Sequence, residues 1–301
     1  MDTQWLIDTM EKWSPQKWAM DGDNVGLHIG DRTRKISRVL TALDLTEPVL
    51  REAVQERFDF IITHHPLISR HVPPVNSITT DNPLGKKIMT LIANGIGHFC
   101  AHTNLDVAAK GVNDLLFDLL LLQNKIPLVP PTEQNYPTLG LVGDFTMGGD
   151  NANWVDSINW LDPTNAVYPA SEVDQTSGIT LATFAEHVSK ALKVPNIRYV
   201  GNQDKPIQKV AICGGSGANA KMLQAAISHK CDVYVTGDIG HHFALDALEN
   251  GIALIDGTHH ATEVQISAAI ANHINETAKQ QSVEIFAKAA QAQTAVFSVL
   301  Q

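Results

Sequence analysis

Two stretches near opposite ends of the chain are alike, and this constrains the fold more than any other feature. Residues 58–63 (FDFIIT) match residues 231–236 (CDVYVT), and each stretch is preceded by a strand and a helix and followed by another helix. In both places the next strand opens with Asn-Gly-Ile, at residues 94–96 and 250–252. Strands that alternate with helices indicate β-α-β units. The sequence therefore predicts an α/β protein of two similar lobes, which arise from a duplicated β-α-β unit.

Hydrophobic periodicity and turn residues locate the other elements. Strands are predicted at residues 25–29, 39–45, 58–63, 96–100, 139–145, 209–213, 231–236 and 252–255. Helices are predicted at residues 3–12, 47–56, 86–93, 113–122, 183–192, 243–249 and about 261–280, and another helix follows GGSGAN and ends near residue 228. We expect an N-terminal lobe at residues 1–126 and a second lobe at residues 127–301. The second lobe includes a short irregular insertion near residues 149–180.

The composition argues against several classes of function. The net charge is −10 and Lys and Arg form no run, so nucleic acid is not an expected partner. No apolar stretch approaches the roughly 20 residues that span a bilayer, and the N-terminus lacks the features of a signal peptide. The three cysteines form no CxxC pair, so a disulfide framework is not expected. We therefore expect a cytoplasmic protein that does not bind membranes.

Histidine stands out in this composition. The chain contains thirteen histidines, and six of them form three adjacent pairs, at residues 64–65, 241–242 and 259–260. His64 and His65 directly follow a predicted strand, and Asp106 and His259 also lie just after strands. In α/β sheets, functional residues collect beyond the carboxyl ends of the strands. The two predicted lobes therefore carry candidate site residues in equivalent places.

Five of these residues are of the types that bind divalent cations. Neutral imidazoles and carboxylates are suitable ligands when a strand end or a helix start fixes them. His259 and Glu263 are four residues apart, so on a helix they project from the same face. Adjacent His64 and His65 point in different directions, which suits two ions better than one, and Asp106 is placed to bridge them. Such a site would leave open positions for water or substrate.

Other interpretations of the histidine patterns remain open. A His-His pair after a strand is often structural, and His and Glu four apart on a helix often form a solvated face. His241 and His242 fit the start of a helix in a structural or ligand-supporting role. His102 and Asn104 lie in the loop of Asp106 and are candidates to orient ligands or to transfer protons.

A glycine-rich turn offers a second possible site. Residues 214–220 (GGSGANA) contain GxGxxA between a predicted strand and a predicted helix, which is part of a dinucleotide fingerprint. A tight turn explains the glycines equally well, and so does a phosphate nest at a helix N-terminus. The turn alone therefore assigns no ligand.

Six blocks of sequence occur in one order almost from end to end: DNVGL (23–27), FDFIITHHPL (58–67), AHTNLDVAAKGVND (101–114), VAICGGSGAN (210–219), DVYVTGDIGHHFALDALENGI (232–252) and GTHHATE (257–263). With these blocks the chain resembles the NIF-three-like (NGG-one-interacting-factor-three-like) family, whose bacterial members are often labelled GTP cyclohydrolase 1 type 2 homologues. The resemblance implies two similar α/β lobes, a dinuclear metal site between them and toroidal hexamers. The ligands it implies are His64, His65, Asp106, His259 and Glu263. The chain departs from the family pattern near residues 149–180 and in its C-terminal AQTAVF.

Residues and resemblance together lead to one expected function and one alternative. We expect a metal-dependent hydrolase in which two divalent ions activate water against a small, nucleotide-like substrate. Imidazole and carboxylate ligands accept Zn, Fe, Mn, Co or Ni, so the sequence does not select the metal. No catalytic residue is identified, and His102 and His242 are candidates for ligand-supporting or proton-transfer roles. The alternative is a non-catalytic ring that binds or stores metal or acts as an adaptor.

Overall fold

The computed structural model of the chain describes residues 1–69, 75, 77–130, 139–146 and 179–298. Its helices are α1 (Thr3–Trp13), α2 (Glu47–Gln55), α3 (Pro83–Ala93), α4 (Thr103–Asp106), α5 (Val112–Leu119), α6 (Leu181–Leu192), α7 (Ala220–Ser228), α8 (His241–Glu249), α9 (His259–Glu263) and α10 (Gln265–Gln280). Its strands are β1 (Gly26–Ile29), β2 (Arg38–Ala42), β3 (Phe60–Thr63), β4 (Gly97–Cys100), β5 (Gln123–Val129), β6 (Leu139–Asp144), β7 (Ile179–Thr180), β8 (Arg198–Val200), β9 (Pro206–Ile207), β10 (Lys209–Ile212), β11 (Val233–Thr236), β12 (Ala253–Asp256) and β13 (Phe286–Ala289). The fold is mixed α/β, as the sequence predicts.

The chain divides into two compact units. Unit 1 contains Met1–Ala109 and Ile266–Thr294, and unit 2 contains the described residues of Lys110–Gln265 and Ala295–Gln301. The chain therefore enters unit 2 after α4 and returns to unit 1 at α10.

Unit 1 is built on a five-stranded sheet with the order β1-β4-β3-β2-β13. β13, β2, β3 and β4 run parallel, and β1 pairs with β4 in the antiparallel direction. Every residue of β3 and β4 is buried, as expected for parallel strands that are covered on both faces. α2 follows β2 and is capped by Thr46, whose side chain accepts a hydrogen bond from the N–H of Val49. Because β2, β3 and β4 run parallel, their carboxyl ends lie at one edge of this sheet.

Unit 2 is built on a six-stranded sheet with the order β5-β6-β10-β11-β12-β8. β10, β11 and β12 run parallel, and β5, β6 and β8 add antiparallel strands on either side. Val233 and Val235 of β11 pack into one buried cluster with Phe184 of α6. Tyr234, which points to the other face, packs with Met222 of α7. Both faces of the parallel strands are therefore covered by helices.

The same hydrogen bonds anchor the central strand of each unit. One oxygen of Asp59 accepts hydrogen bonds from the N–H groups of Ser37 and Arg38, at 2.7 and 2.9 Å. One oxygen of Asp232 accepts hydrogen bonds from the N–H groups of residues 208 and 209 in the same way, at 2.9 and 2.8 Å. These aspartates are the second residues of the matching stretches FDFIIT and CDVYVT. The aspartate that the two stretches have in common therefore makes the same backbone hydrogen bonds in both units.

The helix that follows each central strand also ends in the same way. The side chains of Asn94 and Asn250 donate hydrogen bonds to the carbonyl four residues back, at 2.8 and 2.7 Å. Gly95 and Gly251 follow with φ angles of +62° and +74°, which glycine adopts at low cost. The repeated Asn-Gly-Ile is therefore the end of a helix and the entry to the next strand.

The lobe boundary expected between residues 126 and 127 is wrong. β5 crosses that position and pairs with β6 in unit 2, from Gln123 to Val129. At the other end of the chain, β13 pairs in parallel with β2, from Phe286↔Arg38 to Ala289↔Thr41, and so belongs to unit 1. Long-range strand pairing thus decides where each segment belongs, and local sequence does not reveal it.

A few predicted elements differ from those observed. The helix expected at about residues 261–280 is two helices, because α9 ends at Glu263 and α10 begins at Gln265. The helix expected at residues 113–122 ends at Leu119, and β5 begins at Gln123. The insertion expected near residues 149–180 lies outside the described residues, apart from β7 at its end. Within the described part of the chain, no helix is long and apolar enough to cross a membrane.

Candidate metal centre

Unit 1 gathers three histidines and a carboxylate at the carboxyl edge of its sheet. His64 and His65 follow β3 directly, His102 precedes α4, and Asp106 is the last residue of α4. The ring centroids of His64 and His65 are 5.2 Å apart, and His102 lies 5.2 and 5.6 Å from these two rings. Each ring offers a nitrogen within 4.8 Å of the other two. Nε2 of His64 lies 3.4 Å from an oxygen of Asp106, so the predicted site residues of unit 1 are close together.

The rings of His64 and His65 are both held through Nδ1. In His64, which is completely buried, Nδ1–H donates to the carbonyl oxygen of Ala101 at 2.8 Å. In His65, Nδ1–H donates to a carboxylate oxygen of Asp44 at 2.8 Å. A histidine that donates from Nδ1 to an oxygen presents the lone pair of Nε2, and this is the usual arrangement of metal-binding histidines. Both rings therefore have the orientation that is usual for metal-binding histidines.

His102 is held in the same way by Asp23. Nδ1 of His102 lies 2.9 and 3.0 Å from the two oxygens of Asp23, and Asp23 also accepts from the hydroxyl of Thr103 at 2.6 Å. Burial opposes ionisation of Asp23, but the hydrogen bonds from His102 and Thr103 outweigh it and lower the pKa of this carboxyl below its ordinary value. Asp23 therefore remains an anion that fixes the ring of His102.

Unit 2 presents a second pair of ligand-type residues on α9. Nε2 of His259 lies 3.1 Å from an oxygen of Glu263, one helical turn away. Nδ1–H of His259 donates to Asp238 at 2.7 Å. The hydrogen bond to Glu263, with further contributions from its charge and from Asp238, outweighs burial and raises the pKa of His259 to about 9. Glu263 is 5% exposed whereas the side chain of His259 is 34% exposed, so this ring lies between two carboxylates with one side open to solvent.

The glycine-rich turn after β10 packs beneath this pair. Gly215 has a φ angle of +62°, and a Cβ atom at this position would collide with the carboxylate of Glu263. Gly237 is similarly close to the backbone of His259, where a Cβ would lie 2.6 Å from its nitrogen. The hydroxyl of Thr262 accepts a hydrogen bond from the N–H of Gly215 at 3.0 Å. These glycines therefore allow α9 to pack closely against the loops after β10 and β11, and this packing explains them without nucleotide binding.

The donor set fits divalent cations. The two units together carry imidazole nitrogens and carboxylate oxygens and no thiolate among the predicted ligands, a combination that Zn, Fe, Mn, Co and Ni all accept. In both units an oxygen acceptor fixes Nδ1, which leaves Nε2 to face a neighbouring carboxylate or histidine. Such acceptors orient ligating histidines and raise their basicity. The residues present are therefore suited to hold metal in each half.

The remaining histidines are placed differently. Nε2–H of His187 and of His229 each donate to backbone carbonyls, at 3.1 Å in both cases, which is a structural role. His242 is exposed at the start of α8 beside His241. It belongs to none of the candidate ligand groups found among the described residues, so its supporting role stays a prediction.

Sequence reasoning missed the three aspartates that hold the rings: Asp23, Asp44 and Asp238. Asp44 follows β2 and Asp238 follows β11, so both lie just beyond strand ends like the predicted ligands. That position was an available signal, but their partners are 21 residues away in each case. Only the folded chain shows which aspartate meets which histidine.

Comparison with known proteins identifies the family. The family model Duf34/NIF3 (NGG1p interacting factor 3) matches residues 1–293. The chain belongs to the Duf34/NIF3 family. This confirms the resemblance that the six sequence blocks indicate. A Duf34/NIF3 relative, labelled "GTP cyclohydrolase 1 type 2 homolog" in Clostridium acetobutylicum, is 31% identical over 258 residues, which are 86% of this chain and 84% of that protein.

Solved structures of similar proteins share the fold. A Bacillus cereus protein related to NIF3 has a TM-score of 0.80 and 29% identity, with coverage of 100% of this chain and 99% of that one. A Staphylococcus aureus protein also has a TM-score of 0.80, with 27% identity and the same coverage. The α/β fold of this Duf34/NIF3 chain is therefore that of known family structures.

Proposed function

We propose that this Duf34/NIF3 protein is a metal-dependent hydrolase with one dinuclear centre. The centre draws His64, His65 and Asp106 from unit 1 and His259 and Glu263 from unit 2. When bound, two divalent ions supply Lewis-acid activation of water and substrate. The observation that carries the proposal is the common orientation of the ligand histidines, each with Nδ1–H donated to an oxygen and Nε2 directed at other ligand-type groups.

The number of proposed ligands favours a catalytic metal site over a closed structural one. Five side chains shared by two ions leave coordination positions for water and substrate, whereas structural zinc sites are closed by four protein ligands. The supporting groups also serve one purpose. Asp44 and Asp238 accept from the ligand rings and so fix the tautomer that binds metal.

His102 is a further candidate for a role in this centre. It lies in the unit 1 cluster without belonging to the five proposed ligands, and Asp23 fixes its ring. It therefore keeps its predicted place as a ligand-supporting or proton-transfer residue.

The substrate, assembly and location are proposed from the family. The relatives' label, GTP cyclohydrolase 1 type 2 homolog, leads us to propose a small, nucleotide-like substrate for this chain. We propose further that the chain acts in the cytoplasm as a homohexameric ring, without nucleic acid or membrane as partner. The net charge of −10 is consistent with the absence of a nucleic-acid partner.

The proposal is tested by turnover with and without metal. The protein is stripped with a chelator, reloaded separately with Zn, Mn, Fe, Co or Ni, and assayed with GTP, phosphoesters and cyclic amides. We expect turnover of at least one compound with one metal and none after stripping. Turnover that survives stripping contradicts the proposal, and a protein that binds two ions but turns over none of these compounds supports the storage or adaptor alternative.

Two variants connect the activity to the proposed ligands. Asp106→Asn keeps the shape of the side chain and removes its charge, so activity should fall at least about a hundredfold if metal is lost. Asp8→Asn is the matched control, because it makes the same substitution at an exposed aspartate of α1 outside the proposed ligand set. Equal activity of both variants would contradict the assignment.

A further inference from the structure

We propose that His98, acting through the hydroxyl of Thr63, is a positioning residue for the metal ligand His65. The inference deepens the proposed function, on which it rests, because it names residues that hold a ligand without touching the metal. It concerns a buried polar chain in unit 1 that the metal centre does not use directly.

The chain runs from β4 to the end of β3. His98 lies on β4, opposite Ile61 of β3, and is completely buried. Its Nε2 lies 2.9 Å from the hydroxyl oxygen of Thr63. The same hydroxyl lies 2.6 Å from the carbonyl oxygen of His65, two residues further along the chain. Three polar groups are thus joined within hydrogen-bond distance inside the sheet edge.

The direction of these hydrogen bonds follows from the groups themselves. A carbonyl oxygen only accepts, so the single proton of the Thr63 hydroxyl is donated to His65. The hydroxyl oxygen must then accept from His98, which carries its proton on Nε2. Burial, with a smaller contribution from His28, lowers the pKa of His98 well below its ordinary value, so this ring is neutral. The structure thus assigns one tautomer to His98.

The backbone of His65 is held by hydrogen bonds at both its N–H and its carbonyl group. Its N–H donates to the carbonyl of Leu43 at 2.9 Å, and its carbonyl accepts from Thr63. The next residue is Pro66, which has no N–H to add a further hydrogen bond. Thr63 therefore fixes the peptide that leaves His65, and His98 keeps the Thr63 hydroxyl turned toward it.

The equivalent place in unit 2 shows that packing alone does not require a histidine. Leu254 lies on β12 opposite Tyr234 of β11, as His98 lies opposite Ile61. Both Leu254 and His98 are completely buried. A buried imidazole costs desolvation free energy that leucine avoids. In unit 2, which has no His-His pair after β11, this position of the neighbouring strand is the apolar Leu254. In unit 1, which has the pair after β3, it is His98, a hydrogen-bond donor.

Two matched pairs of variants test the inference. His98→Leu copies the residue of unit 2 and removes the donor, whereas His98→Gln places an amide N–H close to the position of Nε2. Thr63→Val removes the hydroxyl and keeps the shape, whereas Thr63→Ser keeps the hydroxyl. Metal-free protein is titrated with Co(II) and followed by its visible absorption, and the melting temperature of each metal-free variant is measured in parallel.

We expect His98→Leu and Thr63→Val to weaken one of the two Co(II) binding steps by about tenfold to a hundredfold, the usual cost of losing a supporting contact. Gln at position 98 and Ser at position 63 should restore the wild-type affinity. Unchanged Co(II) affinity in His98→Leu and Thr63→Val overturns the inference, whatever happens to their melting temperatures, because a purely structural role predicts that result. Equal weakening in all four variants also overturns it.

A measurement without metal separates this inference from the proposed function. In metal-free protein labelled with ¹⁵N-histidine, His98 should show the Nε2–H tautomer and His65 the Nδ1–H tautomer. In His98→Leu the backbone amide resonance of His65 should shift or broaden, while the contact with Asp44 keeps the ring in the Nδ1–H tautomer. An unchanged backbone resonance of His65 in that variant contradicts the positioning role. Failure of wild-type protein to bind two Co(II) ions would instead contradict the dinuclear centre.

Discussion

The two units share a framework of three parallel strands, β2, β3 and β4 in unit 1 and β10, β11 and β12 in unit 2, but carry their proposed metal ligands in different places. In unit 1 the loop after the central strand carries the proposed ligands His64 and His65. In unit 2 the corresponding loop after β11 contains Gly237 and Asp238, and Asp238 accepts a hydrogen bond from the proposed ligand His259 of α9. The contacts that build the framework, such as those of Asp59 and Asp232, are nearly identical.

The difference shows how one scaffold can support unequal roles. Strand anchoring and helix ends lie away from the carboxyl edge of each sheet, and they are retained in both units. The residues beyond the strand ends vary without disturbing the framework, as loops on a fixed scaffold commonly do.

The largest effect is expected at Gly215. Gly215→Ala forces a Cβ against the carboxylate of Glu263 and places alanine at a φ angle of +62°, so we expect a loss of about 2–4 kcal/mol in unfolding free energy and loss of metal. Gly251→Ala is the control, because Gly251 has a φ angle of +74° but open space around it. That variant should lose only about 1 kcal/mol and keep its metal. Urea unfolding and metal analysis measure both, and equal losses would refute the clash with Glu263.

The framework contacts should be of equal value in the two units. Asp59→Ala and Asp232→Ala each remove a carboxylate that accepts two backbone N–H groups. Each should lower the unfolding free energy by about 2 kcal/mol, since hydrogen bonds to charged groups contribute more than neutral ones. Urea unfolding compares them, with the asparagine variants as partial rescues. A large loss of unfolding free energy in only one of the two variants would show that these contacts are not equivalent.

The aspartates that hold ligand rings should affect metal more than stability. Asp44→Asn and Asp238→Asn leave an oxygen that can accept from His65 or His259 but remove the charge that raises ring basicity. We expect metal affinity to fall by about tenfold or more in each variant. Competition with a chromogenic chelator measures the affinity, and Asp8→Asn, on α1, serves as a surface control. An affinity equal to that of the wild type in both variants would show that these contacts do not support ligands.

The smallest effect is expected at the helix ends. Asn94→Ala and Asn250→Ala each remove one exposed side-chain hydrogen bond to a carbonyl of the preceding turn. Each should cost about 0.5–1 kcal/mol, with no change in metal content. Thermal unfolding with metal analysis gives both values, and an effect on metal in either variant would mean that the helix ends are coupled to the site.

The sequence predicts much of the framework because its signals are local. The buried strands β3 and β11 have continuous apolar sequences that end at polar residues, and Asn-Gly marks the ends of α3 and α8. The boundary of the units was missed because β13 joins β2 across more than 240 residues, and no local pattern encodes such a pairing. β5 was missed as a strand because most of its residues are exposed and it contains Pro127.

The candidate ligands were accessible to sequence reasoning, and their supports were not. His64, His65 and the HxxxE pair of α9 are recognisable from residue type and spacing. Asp23 and Asp44 act on histidines that lie 79 and 21 residues away, so their role exists only in the folded chain. The glycines after β10 were ambiguous in sequence, and their closeness to Glu263 and His259 gives them a steric explanation.

We propose that ligands from both units hold one pair of metal ions, and elemental analysis of the loaded protein tests this proposal. Wild-type protein, Asp106→Ala from unit 1 and His259→Ala from unit 2 are purified, loaded with excess metal, desalted and analysed for metal per chain. We expect two ions per chain in the wild type and the loss of at least one ion in each variant. Retention of both ions by either variant would contradict it.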